Sequence, residues 1–329
     1  MKKSHSWKEL VFSDLGILIL MALGMFILHL LTNGQYGFHR DELAMVDDAR
    51  ILAWGYVAYP PLTPFIGRLG LALFGPSLGG LRAFSALAIS IAIVLAGLLA
   101  GELGGGRKAK FLAAGATAIV PFALAQGALF QYVTFDYLWW VVVAYFMARL
   151  LKSENPRWWL AIGAAIGVGM MTKYTMAFLV AGIVGGVVLT ENRRYLKSPW
   201  LWGGVALALL ITLPNLIWQL GHEFITLQFL SEIHDRDVRI GRAANFMLEQ
   251  FYVTANIFTI PLWLAGLYYY FFKQEGKRYR LLGWMYLIPL GLMIVTQARG
   301  YYLAAAYPML LAAGAVVWEG WLAKLEPNS

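Results

Sequence analysis

Long apolar runs that recur from one end of the chain to the other are the feature that most constrains its fold. Hydrophobic residues make up 60% of the 329 positions, and charged residues only 13%. A water-soluble domain of this length exposes far more charge, whereas a chain with repeated apolar runs buries them in a bilayer. The sequence therefore predicts an all-α polytopic membrane protein.

The runs predict about ten transmembrane helices within one transmembrane domain that covers residues 1–329. Residues 158–190 fit either one long span or two short spans that break at Thr172-Lys173-Tyr174. Two spans keep Arg193, Arg194 and Lys197 on the same side as the other basic loops, so the break is preferred. The predicted spans are 13–32, 83–101, 111–131, 137–151, 158–172, 174–190, 200–219, 249–272, 281–296 and 302–322.

The net charge of +8 is distributed as a topology signal. With the N-terminus inside, seventeen Lys and Arg residues lie on the inner side and nine on the outer side, against eight and ten acidic residues. This asymmetry satisfies the positive-inside rule and is not a nucleic-acid footprint. The basic start Met1-Lys2-Lys3 precedes an apolar run without an Ala-x-Ala cleavage pattern, which indicates an uncleaved first span. With the N-terminus inside and about ten spans, the C-terminus is also expected inside.

Two outer segments are too long to be simple turns. The first, residues 33–82, is predicted to hold two short helices, 41–54 and 63–74, and the second of these is interfacial or re-entrant because it is too short to span. The second segment, residues 221–245, carries a mixed-charge run. The chain stops soon after Trp321, so no soluble C-terminal domain is expected.

Residues 36–48 contain four carboxylates, which is unusual in so apolar a chain. On a helix Asp41 and Asp48 share one face, while His39 and Glu42 share another. Acidic residues are also favoured in a first helical turn, because they interact with the positive end of the helix dipole, so this cluster can equally be a solvated helix start. His39 and Glu42 provide only two possible metal ligands, and no metal site is predicted. The absence of cysteine also excludes disulfides and thiolate metal sites.

Further ionisable residues fall on the same predicted outer face. Asp136 lies between the third and fourth spans, where a carboxylate either has a partner or a function, or sits just above the headgroups. Arg82, Lys173 and Arg299 lie at span ends; such cations often merely extend to the water, but together they suit an anionic headgroup. His222 is a weaker candidate, because a loop histidine is more often solvated.

Seven short motifs occur in an order that resembles C-type membrane glycosyltransferases of the protein O-mannosyltransferase and aminoarabinose transferase branch, which use polyprenyl-phosphate sugars. The resemblance covers nearly the whole chain. The Asp-Glu and Pro-Pro loops are its most specific parts. The motifs are His39-Arg-Asp-Glu42, Ala53-Trp-Gly-Tyr-Val57, Pro60-Pro-Leu62, Asp136, Thr172-Lys-Tyr174, Tyr301-Tyr-Leu303 and Ala306-Tyr-Pro308.

This resemblance implies that Asp41 is the catalytic base, that Asp136 supports it, and that Lys173 and Arg299 lie near the donor phosphate. One departure is Ala58-Tyr59, where the family often has a charged or amide residue before Pro-Pro. The candidate catalytic residues are therefore Asp41, Glu42 and Asp136. The candidate substrate-binding residues are His39, Arg40, Tyr59, Arg82, Lys173, Tyr174, His222, Arg299 and Tyr302.

The expected function is inverting transfer of a sugar from a polyprenyl-phosphate donor to an acceptor hydroxyl or phosphate on a glycan, lipid or protein. The active site would face outward from a bacterial or archaeal cytoplasmic membrane, with no cofactor beyond the donor and with no nucleic acid as a partner. A lipid or solute transporter is the main alternative, although no inverted repeat is found. A non-catalytic membrane scaffold is the second alternative.

Overall fold

The structure is a computed structural model that describes residues 12–325. Lys2, Lys3 and Lys8, which were counted on the inner side, lie outside the described residues, as do both chain ends. Within that range the chain is all-helical, with no strand. Three 3₁₀ segments, Glu191–Lys197, Lys277–Tyr279 and Gly300–Ala306, interrupt the α-helices. The α-helices are α1 Asp14–Thr32, α2 Arg40–Arg50, α3 Leu62–Phe74, α4 Leu78–Glu102, α5 Arg107–Ile119, α6 Pro121–Gly127, α7 Tyr132–Ser153, α8 Trp158–Met170, α9 Met176–Leu189, α10 Pro199–Gly221, α11 Ile225–Arg239, α12 Phe246–Tyr252, α13 Ile260–Phe272, α14 Arg280–Val295 and α15 Tyr307–Leu325.

The all-α class is confirmed, but the count of about ten spans is not. Five helical segments in the described range are long and apolar enough to cross a membrane, or up to seven if each bent helix pair is one span. The predicted span 111–131 is instead bent by 65° between α5 and α6, where Pro121 begins a new helix. The predicted span 249–272 is interrupted between α12 and α13, where the Asn256 side chain accepts the N–H groups of Phe258 and Thr259.

Helix α4 lies at the centre of the bundle and packs against α1, α5 and α7. Helices α8 and α10 form a second closely packed pair, and α13 and α15 form a third. At the α8–α10 crossing, a Cβ atom added to Gly163 would lie 2.1 Å from the carbonyl oxygen of Gly204, so only glycine allows this backbone approach.

The connecting segments gather at two opposite ends. At one end, here called the basic end, segments 103–106, 154–157, 190–198 and 273–279 meet, and Glu154 bonds both Arg194 and Arg278. At the other end, here called the site end, segments 33–61, 128–131, 171–175, 222–259 and 296–299 meet. The predicted break at Lys173 is present between α8 and α9, and it places Lys173 at the site end.

The two short helices predicted in the first long loop are present as α2 and α3, within a few residues of their expected bounds. The second long loop contains helix α11, which the sequence analysis did not predict. Helix α7 begins at Tyr132, earlier than expected, so Asp136 lies inside a helix rather than in a connecting loop. It is 2% exposed, so its side chain is enclosed by the protein.

Candidate active site

The site is built around the start of helix α2. His39 caps this helix through its Nδ1, which accepts the backbone N–H of Asp41 at 3.2 Å. Glu42 reaches back and accepts the N–H of His39 at 2.8 Å, which completes a capping box. These local bonds fix the direction in which the next carboxylates project.

Glu42 and Arg82 form a buried ion pair that anchors this loop to α4. The guanidinium binds both carboxylate oxygens, at 2.8 and 2.7 Å, and the two side chains are only 1% and 3% exposed. Arg82 also donates to the carbonyls of Asn33 and Gly37, while Glu42 accepts the N–H of Phe130. Because both side chains are hydrogen-bonded to other parts of the protein, these contacts favour a structural role over contact with a substrate.

Several hydrogen bonds hold Glu42 in its charged form. Burial is the largest influence and by itself raises the pKa of this carboxyl. The bonds from Arg82 and from the backbone N–H groups of Phe130 and His39 outweigh burial and keep the pKa below its usual 4.5. The loop is therefore anchored by an ion pair at neutral pH.

Asp41, the next residue before Glu42, keeps an accessible side chain. Its side chain is 44% exposed, and its Oδ2 accepts the amide of Gln131 at 3.2 Å. The neighbouring Arg40 is 87% exposed and lies 3.3 Å from the other oxygen. The amide of Gln131 thus orients Asp41 while leaving it open to a reacting group.

A second carboxylate, Asp136, is paired with Lys173. Thr175 donates to the Oδ2 of Asp136 at 2.7 Å, and the Lys173 Nζ lies 4.0 Å from the same oxygen. The Oδ1 of Asp136 and the Nζ of Lys173 have no hydrogen-bond partner among residues 12–325. Buried charged groups are costly when unpaired, so these two atoms are prepared to receive a polar ligand.

Tyrosine rings surround the Lys173 ammonium. Its Nζ lies 3.8 Å from the centre of the Tyr302 ring, 5.7 Å from that of Tyr301 and 5.8 Å from that of Tyr132. The faces of aromatic rings attract cations, so these rings favour the ammonium form of Lys173 without neutralising its charge. Burial, the largest influence, lowers the pKa of Lys173 from its usual 10.5, and the carboxylate of Asp136 partly opposes this shift.

Arg299 joins this cluster from the segment before the last helix. Its NH1 donates to the Tyr301 hydroxyl at 3.2 Å, and its guanidinium lies 6.0 Å from the Tyr302 ring centre. Asp237 of α11 accepts its Nε at 2.5 Å and also bonds Arg236. Asp237 therefore connects the second long loop to the cations of the site, a role that the sequence did not reveal.

Tyr59, at the position where the motif departs from the family, has its own partner. Its hydroxyl donates a short hydrogen bond to Asp48, and its ring packs 5.2 Å from that of Tyr132. Burial, the largest influence, raises the pKa of Asp48 above its usual 3.8, with the bond from Tyr59 opposing. Tyr59 thus lies against the aromatic rings of the site, and Asp48 is a second carboxylate beside them.

Tyr174 and His222 are both bonded to residues at the end of α10. The Tyr174 hydroxyl donates to Asn215 at 2.7 Å and accepts from Gln219 at 3.0 Å. His222 stacks on Trp218 at 3.9 Å and contacts its carbonyl. Both residues brace the end of α10, so their contacts favour a structural role.

Together these residues place an accessible carboxylate and two cations at one end of the bundle. Asp41, Asp136 and Arg299 all lie within electrostatic range of the Tyr132 hydroxyl, which sits among them. A base and a cationic pocket are what transfer from a phosphate leaving group requires. Across residues 12–325, no three His, Asp or Glu side chains converge on a possible metal position.

The all-helical fold, with its long apolar helices, has the architecture of C-type membrane glycosyltransferases. The dolichyl-phosphate-mannose-protein mannosyltransferase family matches residues 58–218. By sequence and by fold the chain is similar to C-type membrane glycosyltransferases, which confirms the resemblance drawn from its motifs.

Curated relatives include an undecaprenyl phosphate-alpha-4-amino-4-deoxy-L-arabinose arabinosyl transferase of Pseudomonas fluorescens, 29% identical over 60% of this chain and 39% of that protein. Lipid A galacturonosyltransferase RgtD of Rhizobium johnstonii is 24% identical over 94% of this chain and 66% of that protein. The chain therefore spans less than two thirds of the length of each of these relatives.

Two solved structures share the fold. ArnT from Cupriavidus metallidurans, bound to undecaprenyl phosphate, superimposes with a TM-score of 0.65 at 17% identity and covers 95% of this chain and 63% of its own. The oligosaccharyltransferase of Archaeoglobus fulgidus gives 0.65 at 16% identity, with 95% of this chain and 51% of its own covered. At these identities the likeness establishes the architecture alone.

Proposed function

We propose that this protein is an inverting glycosyltransferase that moves a sugar from a polyprenyl-phosphate donor to an acceptor hydroxyl or phosphate. The observation that carries the proposal is that exposed Asp41, through its charge, and buried, incompletely bonded Lys173, through its ammonium, both act on Tyr132. The names of the relatives, an undecaprenyl-phosphate-dependent arabinosyl transferase and a lipid A galacturonosyltransferase, support a lipid-linked donor. A glycan, a lipid or a protein can supply the acceptor group.

In this proposal Asp41 is the general base. It takes the proton of the acceptor hydroxyl as that oxygen forms a bond to the anomeric carbon of the sugar. Its accessibility and its bond from Gln131 suit this role, because a base must reach the acceptor in a fixed orientation. Glu42 is adjacent in sequence but is bound to Arg82, so it positions the loop instead.

Lys173 and Arg299 hold the phosphate that leaves. When the bond between the anomeric carbon and the phosphate oxygen breaks, the oxygen keeps the bonding electrons and the phosphate gains negative charge. Fixed cations stabilise that charge without having to reorganise, and this electrostatic stabilisation is usually the largest contribution to the rate enhancement. Because the phosphate is already a good leaving group, no general acid is needed. A single displacement from the face opposite the phosphate inverts the anomeric centre.

The site would open on the outer face of a bacterial or archaeal cytoplasmic membrane, with both termini in the cytoplasm. The charge distribution in the sequence supports this orientation, because the loops of the basic end carry the excess of Lys and Arg. The donor lipid would enter the site from the bilayer, and its phosphate would reach the cations at the site end.

The test is the Asp41→Asn variant, with Asp47→Asn as its matched control on the same helix. Asp47 is 76% exposed and contacts only Arg50, so its substitution should change nothing. Mass spectrometry of envelope glycolipids and glycoproteins would compare a deletion strain complemented with each variant at equal expression. We expect a sugar-sized mass difference to be lost with Asp41→Asn and restored with Asp47→Asn, with a rate loss of about 10²–10⁴ in purified enzyme.

Two results would contradict the proposal. If the deletion changes no glycolipid or glycoprotein, the protein is not a transferase for the envelope. If Asp41→Asn restores the product as well as the wild type does, Asp41 is not the base. The mass of the lost group would identify the sugar, and the molecule that loses it would identify the acceptor.

A further inference from the structure

A polar cavity lies at the basic end, away from the candidate active site. Its volume is about 580 Å³, and it is formed by the end of α7, the end of α9 with the 3₁₀ segment after it, and the start of α14. Asp136 lies near the start of helix α7 and Leu151, which lines the cavity, lies near its end; fifteen residues at 1.5 Å per residue separate them by about 22 Å. The cavity therefore belongs to a different site.

The charge of this cavity is strongly positive. Five cations and two carboxylates line it. Glu154 is shared between Arg278 at 2.9 Å and Arg194 at 3.4 Å, and the Nζ of Lys277 lies 3.9 Å from Glu191. The two carboxylates thus offset only part of the positive charge, and the remainder favours an anionic ligand.

Arg193 is an exposed cation of this cavity whose side chain has no protein partner among residues 12–325. Its guanidinium forms no hydrogen bond or ion pair within the part of the chain that the structure describes, whereas Arg280, on the opposite wall, donates to the carbonyls of Tyr270 and Phe271. The Arg193 guanidinium can therefore form two parallel bonds to a phosphodiester without giving up a protein contact.

The surroundings of the cavity indicate that its ligand is a lipid rather than a soluble anion. Val188 and Leu189 belong to the cavity wall and are 53% and 58% exposed, which is the pattern of side chains that face acyl chains. Trp200 and Trp202, at the start of the next helix, are also exposed, and tryptophan is enriched at the level of the headgroups. The cavity thus combines a basic interior with an apolar border at the membrane surface.

We infer that this basic cavity binds the headgroup of an anionic glycerophospholipid from the leaflet at the basic end. Arg193 and Lys277 would contact the phosphate, and the acyl chains would run along Val188 and Leu189. Basic cavities between helices on one side of a membrane protein suit such headgroups, and each nearby cation adds about fivefold in affinity. This binding does not depend on the proposed glycosyl transfer.

The experiment is a native mass spectrometry titration of the detergent-purified full chain with phosphatidylglycerol, and with phosphatidylcholine of the same acyl chains. The variants are Arg193→Gln and the double variant Arg193→Gln/Lys277→Gln. Lys197→Gln is the matched control, because Lys197 is exposed on the same 3₁₀ segment but does not line the cavity. Thermal unfolding of each variant would show that the fold is retained, and a competition arm would add inorganic phosphate.

We expect phosphatidylglycerol to bind severalfold more tightly than phosphatidylcholine. The preference should fall about fivefold in the single variant and further in the double variant, and it should be unchanged in the control. Equal binding of the two lipids, or equal losses in Lys197→Gln and Arg193→Gln, would overturn the inference. Displacement of phosphatidylglycerol by millimolar inorganic phosphate would also overturn it, because the cavity would then be a site for small soluble anions.

Discussion

Asp237 determines how Arg299 is presented to the candidate site, although it lies more than sixty residues earlier in the chain. It is buried, and it bonds Arg299 and Arg236. Burial is the largest influence on its pKa and raises it, but these arginines outweigh burial and hold the pKa below 3.8. Asp237 is therefore a charged positioning residue at every pH at which the enzyme would work.

Substituting Asp237→Asn should raise the KM for the lipid-phosphate donor about tenfold, with a smaller change in kcat. The reason is that one charge-assisted hydrogen bond, worth about 1.5–3 kcal/mol, no longer fixes Arg299 beside the departing phosphate. Asp235→Asn is the control, since Asp235 is exposed on the same helix. Steady-state kinetics with purified enzyme would check this, and Asp237→Glu should recover part of the loss. An unchanged KM would show that Arg299 does not need this partner.

Lys173 should make the KM for the lipid-phosphate donor depend on pH. Because burial lowers its pKa from 10.5, it loses its proton at a lower pH than an ordinary lysine does, and only the ammonium form can hold a phosphate. The donor KM should therefore begin to rise with pH below 10.5. Lys173→Arg keeps its charge and should remove this alkaline rise, whatever its absolute activity. Identical pH profiles of KM for the two proteins would exclude Lys173 as the titrating group.

Part of the site could be predicted from the sequence at this scale, and part could not. Asp41 was chosen from its motif, and its side chain is 44% exposed, whereas Asp237 lies within a run of alternating charges in which no single residue stands out. Gln131, which orients Asp41, is an uncharged residue with no pattern of its own. Such supporting residues are defined by contacts between distant segments, which a single sequence does not contain.

Among the elements, the first long loop depends most on one contact, the buried pair of Glu42 and Arg82. Arg82→Leu should lower the free energy of unfolding by about 3–5 kcal/mol, because it leaves Glu42 charged, buried and unpaired. Arg149→Gln is the control, since Arg149 pairs with Glu102 at a partly exposed position and should cost about 1 kcal/mol or less. Unfolding in detergent micelles would measure both. Equal losses would mean that the first pair is no more important than the second.

The same pair predicts an acid limit for this loop. The pKa of Glu42 is held below 4.5, so its contribution to stability is complete above pH 4.5 and is lost as the pH falls through its lower folded value. The Glu42→Gln protein should be less stable at neutral pH and should lack this loss of stability below pH 4.5.

The helices themselves were predicted unevenly, and the reasons are physical. Helices α2 and α3 were found because acidic residues typical of a first helical turn mark the first and a short apolar run marks the second. Helix α11 was missed because its polar, mixed-charge sequence resembles an exposed loop until the bond between Asp237 and Arg299 docks it. The breaks at Pro121 and Asn256 were also missed, since an apolar run predicts a continuous span and does not show where its backbone bends.

For the whole molecule, the alternation of loops between two ends was predictable, whereas the number of spanning helices was not. Charge counting separates the loops correctly because Glu154, Arg194 and Arg278 meet at one end and Asp41, Lys173 and Arg299 lie at the other. Hydropathy alone does not give the number of spanning helices, because short helices such as α8 and α13 are packed against neighbours and need not span the membrane on their own. What remains is the direction in which the bundle is inserted.

The chain has no cysteine, so single introduced cysteines can report this direction without background. Asp47→Cys lies at the site end and Lys197→Cys at the basic end, both at exposed positions. If the positive-inside rule holds, a membrane-impermeant maleimide should label Asp47→Cys in intact spheroplasts and Lys197→Cys only after lysis. The reverse pattern would place Asp41 and Lys173 in the cytoplasm. The transfer chemistry would survive that result, but the donor lipid would then have to present its phosphate on the inner leaflet, and the acceptor would be a cytoplasmic molecule.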